Sequence, residues 1–287
     1  MKPAPFDYYR PGDLAEALDL LDRFEGAKVL AGGQSLMPML NMRFVQPDQV
    51  IDVNNLDLDY IREEGGQIVI GAATRQRDIE LSPVIKRRLP LMAEALQHVG
   101  HVQTRNRGTI GGSLCHLDPA AELPTVCMTL DADIVIKSIR GQRVLPMREF
   151  AAGYMTPALQ PGELLTEVRL PASTPGHGYA FEEFARRHGD FAVASVAVAL
   201  SVAGDVVKSA AITVGGLAAV PTRIAVAEAL LVGKPVAGLP IEAAATEAGT
   251  LDALGDAHAS PEYRQHLATV LASRALNRAI RRATLES

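Results

Sequence analysis

The chain has 287 residues, 48% of them hydrophobic, and a formal net charge of −5, which favours two domains with full cores and argues against a general nucleic-acid binder. No apolar stretch approaches the roughly twenty residues of a membrane span, and Met1-Lys2-Pro3-Ala4-Pro5 leads into a polar segment rather than a signal core, so a soluble, cytoplasmic protein without nucleic-acid or membrane partners is expected. The two cysteines, Cys115 and Cys127, cannot by themselves build an iron–sulfur cluster or a four-cysteine zinc site, and tryptophan is absent, which leaves few rings for a flat ligand to stack on.

Phe6 to Pro11 reads as extended, as residues before proline tend to be. Asp13 is placed to cap a helix whose Leu14, Leu18, Leu21 and Phe24 fall on one face, and Gly26 ends it. Lys28-Val29-Leu30 is a short strand. Ala31-Gly32-Gly33-Gln34-Ser35 follows, and Leu36 to Leu40 is a short helix with Pro38 in its first turn. Strand, glycine turn and helix start leave backbone N–H groups and the positive end of a helix dipole facing the turn, which suits an anion. A lone Gly-Gly also reads as a plain tight turn. Gln49 to Val53 is a second strand, completing a βαβ-like unit over the first fifty-five residues.

Tyr60-Ile61-Arg62 and Gln67 to Gly71 flank Glu63-Glu64-Gly65-Gly66, a hairpin signal. Thr74 is expected to cap a helical region through Ile79 and Leu81, broken at Ser82-Pro83. Lys86-Arg87-Arg88 reads as a solvated helix face. Leu91 to His98 is another helix, ending near Gly100. His98 and His101 have a spacing seen in metal sites, but no third ligand is evident, and solvent or core histidines are the alternative. His101 to Gly108 is polar and aperiodic. It leads into a second glycine turn, Thr109-Ile110-Gly111-Gly112-Ser113-Leu114, and two such turns could grip the two ends of one phosphate-bearing ligand.

Asp118 and Glu122 could accept hydrogen bonds from sugar hydroxyls or serve as caps for a helix from Leu123 to Leu130. Ala132 to Ser138 and Arg143-Val144-Leu145 form a hairpin around Arg140-Gly141, and Glu163 to Leu170 is a strand. Pro171 to Gly178 is a Pro/Gly-rich linker, where the main domain boundary is placed. Tyr179 to Phe184 is a strand and Arg186 to Phe191 a polar turn. Ala192 to Val202 and Val206 to Val214 are valine-rich strands joined at Gly204-Asp205. Helices follow over Ala225 to Leu231, Ile241 to Ala248 and Pro261 to about Arg282; the last turns Tyr263, Leu267, Leu271 and Leu276 to one side. The class is α+β, its C-terminal third an antiparallel sheet covered by helices.

Ala31 to Pro38 followed by Thr109 to Ser113 resembles the FAD-binding medium subunit of the molybdenum hydroxylases, the xanthine dehydrogenase and aerobic carbon monoxide dehydrogenase family. The likeness spans essentially the whole chain. It includes Phe6-Asp7-Tyr8, the segment from Gln46 to Val53, Pro161-Gly162-Glu163-Leu164-Leu165 and Gly189-Asp190-Phe191. The resemblance implies an FAD-binding domain over 1–176, made of two α/β subdomains (about 1–55 and 56–176) of the PCMH, vanillyl-alcohol-oxidase-like kind, and a C-terminal flavoprotein domain over 177–287. It implies that Ala31, Gly32, Gly33, Gln34 and Ser35 hold the FAD pyrophosphate through backbone N–H groups, flanked by Lys28, Leu30 and Leu36. Thr109, Ile110, Gly111, Gly112 and Ser113 would form a second wall, Glu122 would lie near the adenosine end with Asp118 as a second candidate, and Asp190 and Phe191 would lie near the isoalloxazine. Relatives often carry tyrosine at position 191; phenylalanine keeps the apolar face and loses the hydroxyl. Position 34 is glutamine where some relatives have histidine, so non-covalent FAD is expected.

The same resemblance implies an oxidoreductase subunit for electron transfer, with no catalytic acid–base residue and no metal ligands of its own. Substrate chemistry would take place on a large subunit with a molybdopterin-type molybdenum cofactor, and electrons would arrive through a small subunit with two [2Fe–2S] clusters, in a dimer of heterotrimers. The external acceptor stays open among NAD⁺, a quinone, a cytochrome and oxygen. The rival readings are a stand-alone FAD-dependent oxidase and a non-enzymatic scaffold subunit. A dinucleotide-binding fold is disfavoured, because no Gly-x-Gly-x-x-Gly lies between a strand and a helix.

Overall fold

The computed structural model describes residues 1–174 and 176–285. Strand β1 (Asp7–Tyr9) leads to helix α1 (Leu14–Arg23), whose cap is Asp13; its carboxylate accepts from the Glu16 amide at 2.9 Å. β2 (Lys28–Leu30), α2 (Leu36–Asn41) and β3 (Gln49–Asp52) follow. The three strands form a parallel sheet in the order β1-β3-β2, with Tyr8 opposite Val50 and Val29 opposite Ile51. Ala17, Leu18 and Leu21 of α1 bury against Ile51 and Val53, so the one-sided pattern of α1 does form the core of this unit.

β4 (Ile61–Glu64) and β5 (Gln67–Gly71) form the expected hairpin, and Gly65 and Gly66 both take positive φ, at 57° and 81°. That is the geometry a two-residue turn needs if it is to match strand twist. Five short helices come next: α3 (Gln76–Leu81), α4 (Pro83–Arg88), α5 (Pro90–Ala95), α6 (Val102–Arg105) and α7 (Ile110–His116). Here three expectations are corrected. Thr74 caps nothing; its hydroxyl donates to the Tyr60 carbonyl at 3.1 Å, and α3 starts at Gln76. The polar stretch after His101 contains a helical turn, α6, fixed because Arg105 is buried and bonds Glu80 and the Val99 carbonyl, both at 2.8 Å. The second glycine segment is not a turn: Gly111 and Gly112 lie inside the first turn of α7. Arg87 and Arg88 pair with Glu63 at 3.5 and 2.9 Å, so the basic run at the end of α4 fastens it to the β4–β5 hairpin.

Helix α8 (Glu122–Thr129) is buried along its length. β6 (Asp133–Ser138), β7 (Gly141–Pro146), the short α9 (Met147–Phe150), the small hairpin β8 (Ala151–Gly153) and β9 (Thr156–Pro157), and β10 (Leu164–Pro171) follow. The second sheet runs β4-β5-β10-β6-β7, all neighbours antiparallel. Its inner face and α3 to α8 enclose the largest core, which includes Ile68, Ile70, Met92, Ile110, Val126 and Phe150.

Beyond the Pro171 to Gly178 stretch, of which Pro175 lies outside the described residues, the chain forms a third sheet. It consists of β11 (His177–Phe184), β12 (Ala194–Ala203), β13 (Val206–Gly215) and β14 (Thr222–Arg223), antiparallel and in sequence order. Val196, Val198 and Leu200 pack against α10 (Ala225–Leu231), α11 (Ile241–Ala248) and α12 (Pro261–Leu285). The α+β reading and the helix-covered antiparallel sheet both hold. On α12, Leu267, Leu271 and Leu276 are buried, but Tyr263 is 43% exposed and meets Phe184, the last residue of β11, edge-on.

Candidate functional site

A cavity of about 870 Å³ lies where the parallel sheet unit meets α7, α8 and β10. That volume is within the roughly 300–1,000 Å³ of small-molecule and cofactor sites. Of the residues singled out above, Lys28, Ala31, Gly32, Gly33, Gln34, Ser35, Leu36, Thr109, Gly111, Gly112, Ser113, Asp118, Glu122, Asp190 and Phe191 line it. Leu30 and Ile110 do not; Ile110 is fully buried in the core beneath α7.

The first wall is the loop from Ala31 to Ser35. Gly33 has φ +70°, a conformation that side chains resist. Gly32 is glycine for another reason: a Cβ built there would lie 2.2 Å from the Arg107 carbonyl oxygen and 2.8 Å from Gly108 Cα. The two glycine segments are therefore packed backbone against backbone. A polar chain ties them further. Asn54 donates to the Ala31 carbonyl at 2.9 Å and accepts from Arg75 at 2.6 Å, and Arg75 donates to the Arg107 carbonyl at 2.5 Å. The Gln34 carboxamide turns back to the Gly32 carbonyl at 3.1 Å. The amides of Gly32, Gly33, Gln34 and Ser35 find no acceptor among the described residues. Four consecutive unpaired N–H groups in a cavity wall form a concave cradle for an anion.

The second wall works differently. Thr109 caps α7, its hydroxyl accepting from the Gly112 amide at 3.0 Å; the Ile110 amide donates to the Thr74 carbonyl at 3.2 Å and the Gly111 amide to the Ala72 carbonyl at 2.9 Å. These amides are thus engaged, and what this wall offers a ligand is the Ser113 hydroxyl and clearance. Gly111 is needed for close packing, because its Cβ would sit 2.7 Å from the Ala72 carbonyl oxygen. At Gly112 a Cβ would meet Thr109 Oγ1 at 2.9 Å and nothing else within 4 Å, so this glycine keeps the cavity face bare.

Asp118 and Glu122 stand side by side on the third wall, and neither caps α8, whose first flanking residue is Ala121. The Asp118 carboxylate accepts from the Ala120 amide at 2.9 Å. Glu122 is 8% exposed; burial, helped by the Asp118 charge, pushes its carboxyl up to about 7. Cys115 also faces the cavity, and burial pushes its thiol up to about 12, which makes it unreactive. Gly189, Asp190 and Phe191 reach the cavity from the third sheet, and Phe191 is 70% exposed.

Sequence reasoning missed Gln76, Thr104 and Gly108, and the rim formed by Met155, Pro157 and the segment from Leu159 to Leu165. The Pro161 to Leu165 stretch was visible as part of the resemblance, but no local pattern pointed it at a cavity. Gln76 is 6% exposed and its Oε1 has no hydrogen-bond partner among the described residues. His98 and His101 are engaged separately: the His98 ring packs at 5.3 Å on Phe181, and the His101 ring lies 6.0 Å from His188. Among the described residues no three His, Cys, Asp or Glu side chains converge as a metal site.

The donor set suits FAD. A run of free amides fits a pyrophosphate, neighbouring carboxyls fit hydroxyls, and the apolar remainder of the wall, with Phe191 at its edge, fits ring systems. Residues 4–173 match the family described as FAD binding domain in molybdopterin dehydrogenase, and residues 179–279 match the CO dehydrogenase flavoprotein C-terminal domain. The chain is similar to caffeine dehydrogenase subunit beta of Pseudomonas sp. (strain CBB1), 40% identical over 283 residues that cover 97% of this chain and 96% of that one. It is also similar to the carbon monoxide dehydrogenase medium chain of Hydrogenophaga pseudoflava, 36% identical over 282 residues covering 97% and 98%. The solved structure of carbon monoxide dehydrogenase from Hydrogenophaga pseudoflava lacking the Mo-pyranopterin moiety superposes with a TM-score of 0.95 at 38% identity, covering 98% of this chain and 99% of that one.

Proposed function

Since this chain belongs to the family of FAD-binding medium subunits of the molybdenum hydroxylases, we propose that its cavity holds FAD non-covalently and that the chain serves as the electron-transfer subunit of such an enzyme. The observation that carries the reading is the row of unpaired amides from Gly32 to Ser35 in the wall of a cofactor-sized cavity. These amides take the pyrophosphate. Ser113, Asp118 and Glu122 serve hydroxyls, Lys28, Leu36, Thr109, Gly111 and Gly112 shape the walls, and Asp190 and Phe191 border the flavin ring. Bound FAD supplies chemistry that accepts electrons singly and delivers them singly or in pairs.

The remaining parts of the enzyme follow from the family. A large molybdenum subunit oxidises the substrate, a small subunit with two [2Fe–2S] clusters relays electrons, and an external acceptor removes them, in a dimer of heterotrimers. The chain divides into an FAD-binding domain over 1–176, with subdomains 1–55 and 56–176, and a C-terminal domain over 177–287; cores centred on Ile51, Ile70 and Val198 support that division. No helix among the described residues is long and apolar enough to cross a membrane, and the free thiols of Cys115 and Cys127 suit a reducing cytoplasm, where we place the complex.

The test is purification of the chain from its host under native conditions, with an absorption spectrum and metal analysis. Flavin together with iron, molybdenum and two further chains is expected. Flavin with no partner and no metal would point to a stand-alone oxidase, and absence of flavin to a scaffold. At the residue level, Phe191→Ala is expected to alter the flavin spectrum and reoxidation rate while occupancy changes by less than about threefold, because an exposed ring at the rim adds little buried area. Spectra and kinetics identical to the parent would remove Phe191 from the site.

A further inference from the structure

Glu122 and Asp118 line the cavity together, and the basic side chains of that lining are Lys28 and His116. Glu122 opens α8 and is 8% exposed in the cavity wall. Among the described residues no ion pair reaches it. Glu183, on β11, has a side chain 5% exposed; its Oε2 has no hydrogen-bond partner among the described residues, and its Oε1 lies 4.0 Å from His98 Nδ1. The charge of Glu122 is felt by Glu183, and Asp118 faces Glu122 from the loop before α8.

The arginines nearest Glu122 and Glu183 are committed elsewhere, and Lys28 and His116, which also line the cavity, make no ion pair among the described residues. Arg105 of α6, whose charge reaches Glu122, is bonded to Glu80 at 2.8 Å and to the Val99 carbonyl at 2.8 Å. Arg278 of α12 pairs with Glu94 and Glu182, and Arg223 at the far end of α8 pairs with Glu228 and Asp131. The elements packed on α8 from the third sheet present Ser195 and Thr213, which are buried and uncharged. His98, ringed by Glu94, Arg278 and His188, has its pKa lowered by burial, so it stays neutral at pH 7 and brings Glu183 no positive charge. A buried carboxylate without a cation is costly, and a cofactor pyrophosphate adds two more negative charges to the same space. Keeping a proton removes that cost.

We propose that Glu122, buried in the cavity wall with no ion pair among the described residues, works as a neutral acid that donates a hydrogen bond to a cofactor oxygen, so that FAD binding takes up a proton and weakens as pH rises. This rests on the FAD reading of the cavity and reverses the role of hydroxyl acceptor that the sequence suggested. Burial and its neighbours push Glu122 up to about 7 and Glu183 up to about 8. Both values are raised, so the neutral acid is fully present at pH 6 and is lost as pH rises through 7 to 8, and FAD affinity follows.

The experiment is titration of FAD into the flavin-free full chain from pH 6 to 9, read by flavin fluorescence, for the parent, Glu122→Gln and Glu183→Gln. In the parent, Kd is expected to be flat near pH 6 and to rise toward about tenfold per pH unit at the alkaline end. Glu122→Gln, a permanent donor of similar shape, is expected to keep the pH 6 affinity throughout. A flat parent profile would overturn the proposal, as would a Glu122→Gln chain that has lost tenfold or more at pH 6. So would a pH dependence that survives in Glu122→Gln and vanishes in Glu183→Gln. Calorimetry of the parent in two buffers of different ionisation enthalpy needs no variant: uptake approaching one proton per FAD at pH 8 and little at pH 6 supports the proposal, and none at either pH overturns it. No FAD binding by the parent at any pH would instead sink the cofactor reading itself.

Discussion

Gly32→Ala is expected to weaken FAD binding by at least about 100-fold, equivalent to about 2.7 kcal/mol. The added methyl would lie 2.2 Å from the Arg107 carbonyl oxygen, 2.8 Å from its carbonyl carbon and 2.8 Å from Gly108 Cα. All three atoms are backbone, so no side chain can rotate to make room, and overpacking of this kind typically costs about 1–3 kcal/mol. The loop must move away from residues 107–108. That movement strains the Asn54 bond to the Ala31 carbonyl and redirects the four free amides. Gly112→Ala is the internal comparison: its methyl meets Thr109 Oγ1 alone, so a weakened helix cap of about 1 kcal/mol is the expected loss. Equilibrium titration with FAD, alongside a melting curve, separates the two. Equal FAD affinity in Gly32→Ala and the parent would show that the contact between the two glycine segments does not position the cradle.

Arg264→Met is expected to destabilise the C-terminal part of the chain by about 3–5 kcal/mol, the range seen when buried polar groups lose a charged partner. Arg264 is 8% exposed. One guanidinium nitrogen donates to the Val193 carbonyl at 2.7 Å and the Gly216 carbonyl at 2.6 Å, and another donates to Asp256 at 2.7 Å. Methionine fills the volume but leaves two buried carbonyls without donors. The effect should be visible as a melting temperature lower by roughly 12–20 °C for a unit of this size. Val193 also lies two residues after Phe191, and its amide donates to the Phe184 carbonyl at 2.8 Å, so the loop that brings Phe191 to the cavity is anchored partly through Arg264. Flavin spectra of the variant below its melting point are therefore expected to move in the same direction as those of Phe191→Ala. A melting temperature within 2 °C of the parent would show that water or backbone shifts satisfy those carbonyls.

The amino-acid sequence by itself determined most of the elements and pointed to many of the residues that line the candidate cavity, because these depend on short-range physics. Asp13 followed by leucines on one face specifies a capped amphipathic helix wherever it occurs, and Gly65-Gly66 specifies a tight hairpin because both residues take positive φ. The valine-rich runs around Gly204-Asp205 specify strands for the same reason, and two glycine segments in this order pointed to one ligand held between them. The tertiary structure alone decided what those glycines do. Gly32 is small because a distant backbone passes against it and Gly111 because α7 approaches Ala72, whereas Gly112 faces only the Thr109 hydroxyl and the open cavity. It also decided that the amides of the first segment are free and those of the second engaged, since their acceptors at Ala72 and Thr74 lie far back in the chain. The charge state of Glu122 was likewise beyond local reading: it is set chiefly by burial, with the Asp118 charge added. Dihedral preference and side-chain periodicity are written into neighbouring residues, whereas close approach, hydrogen-bond satisfaction and desolvation exist once distant segments have been brought together.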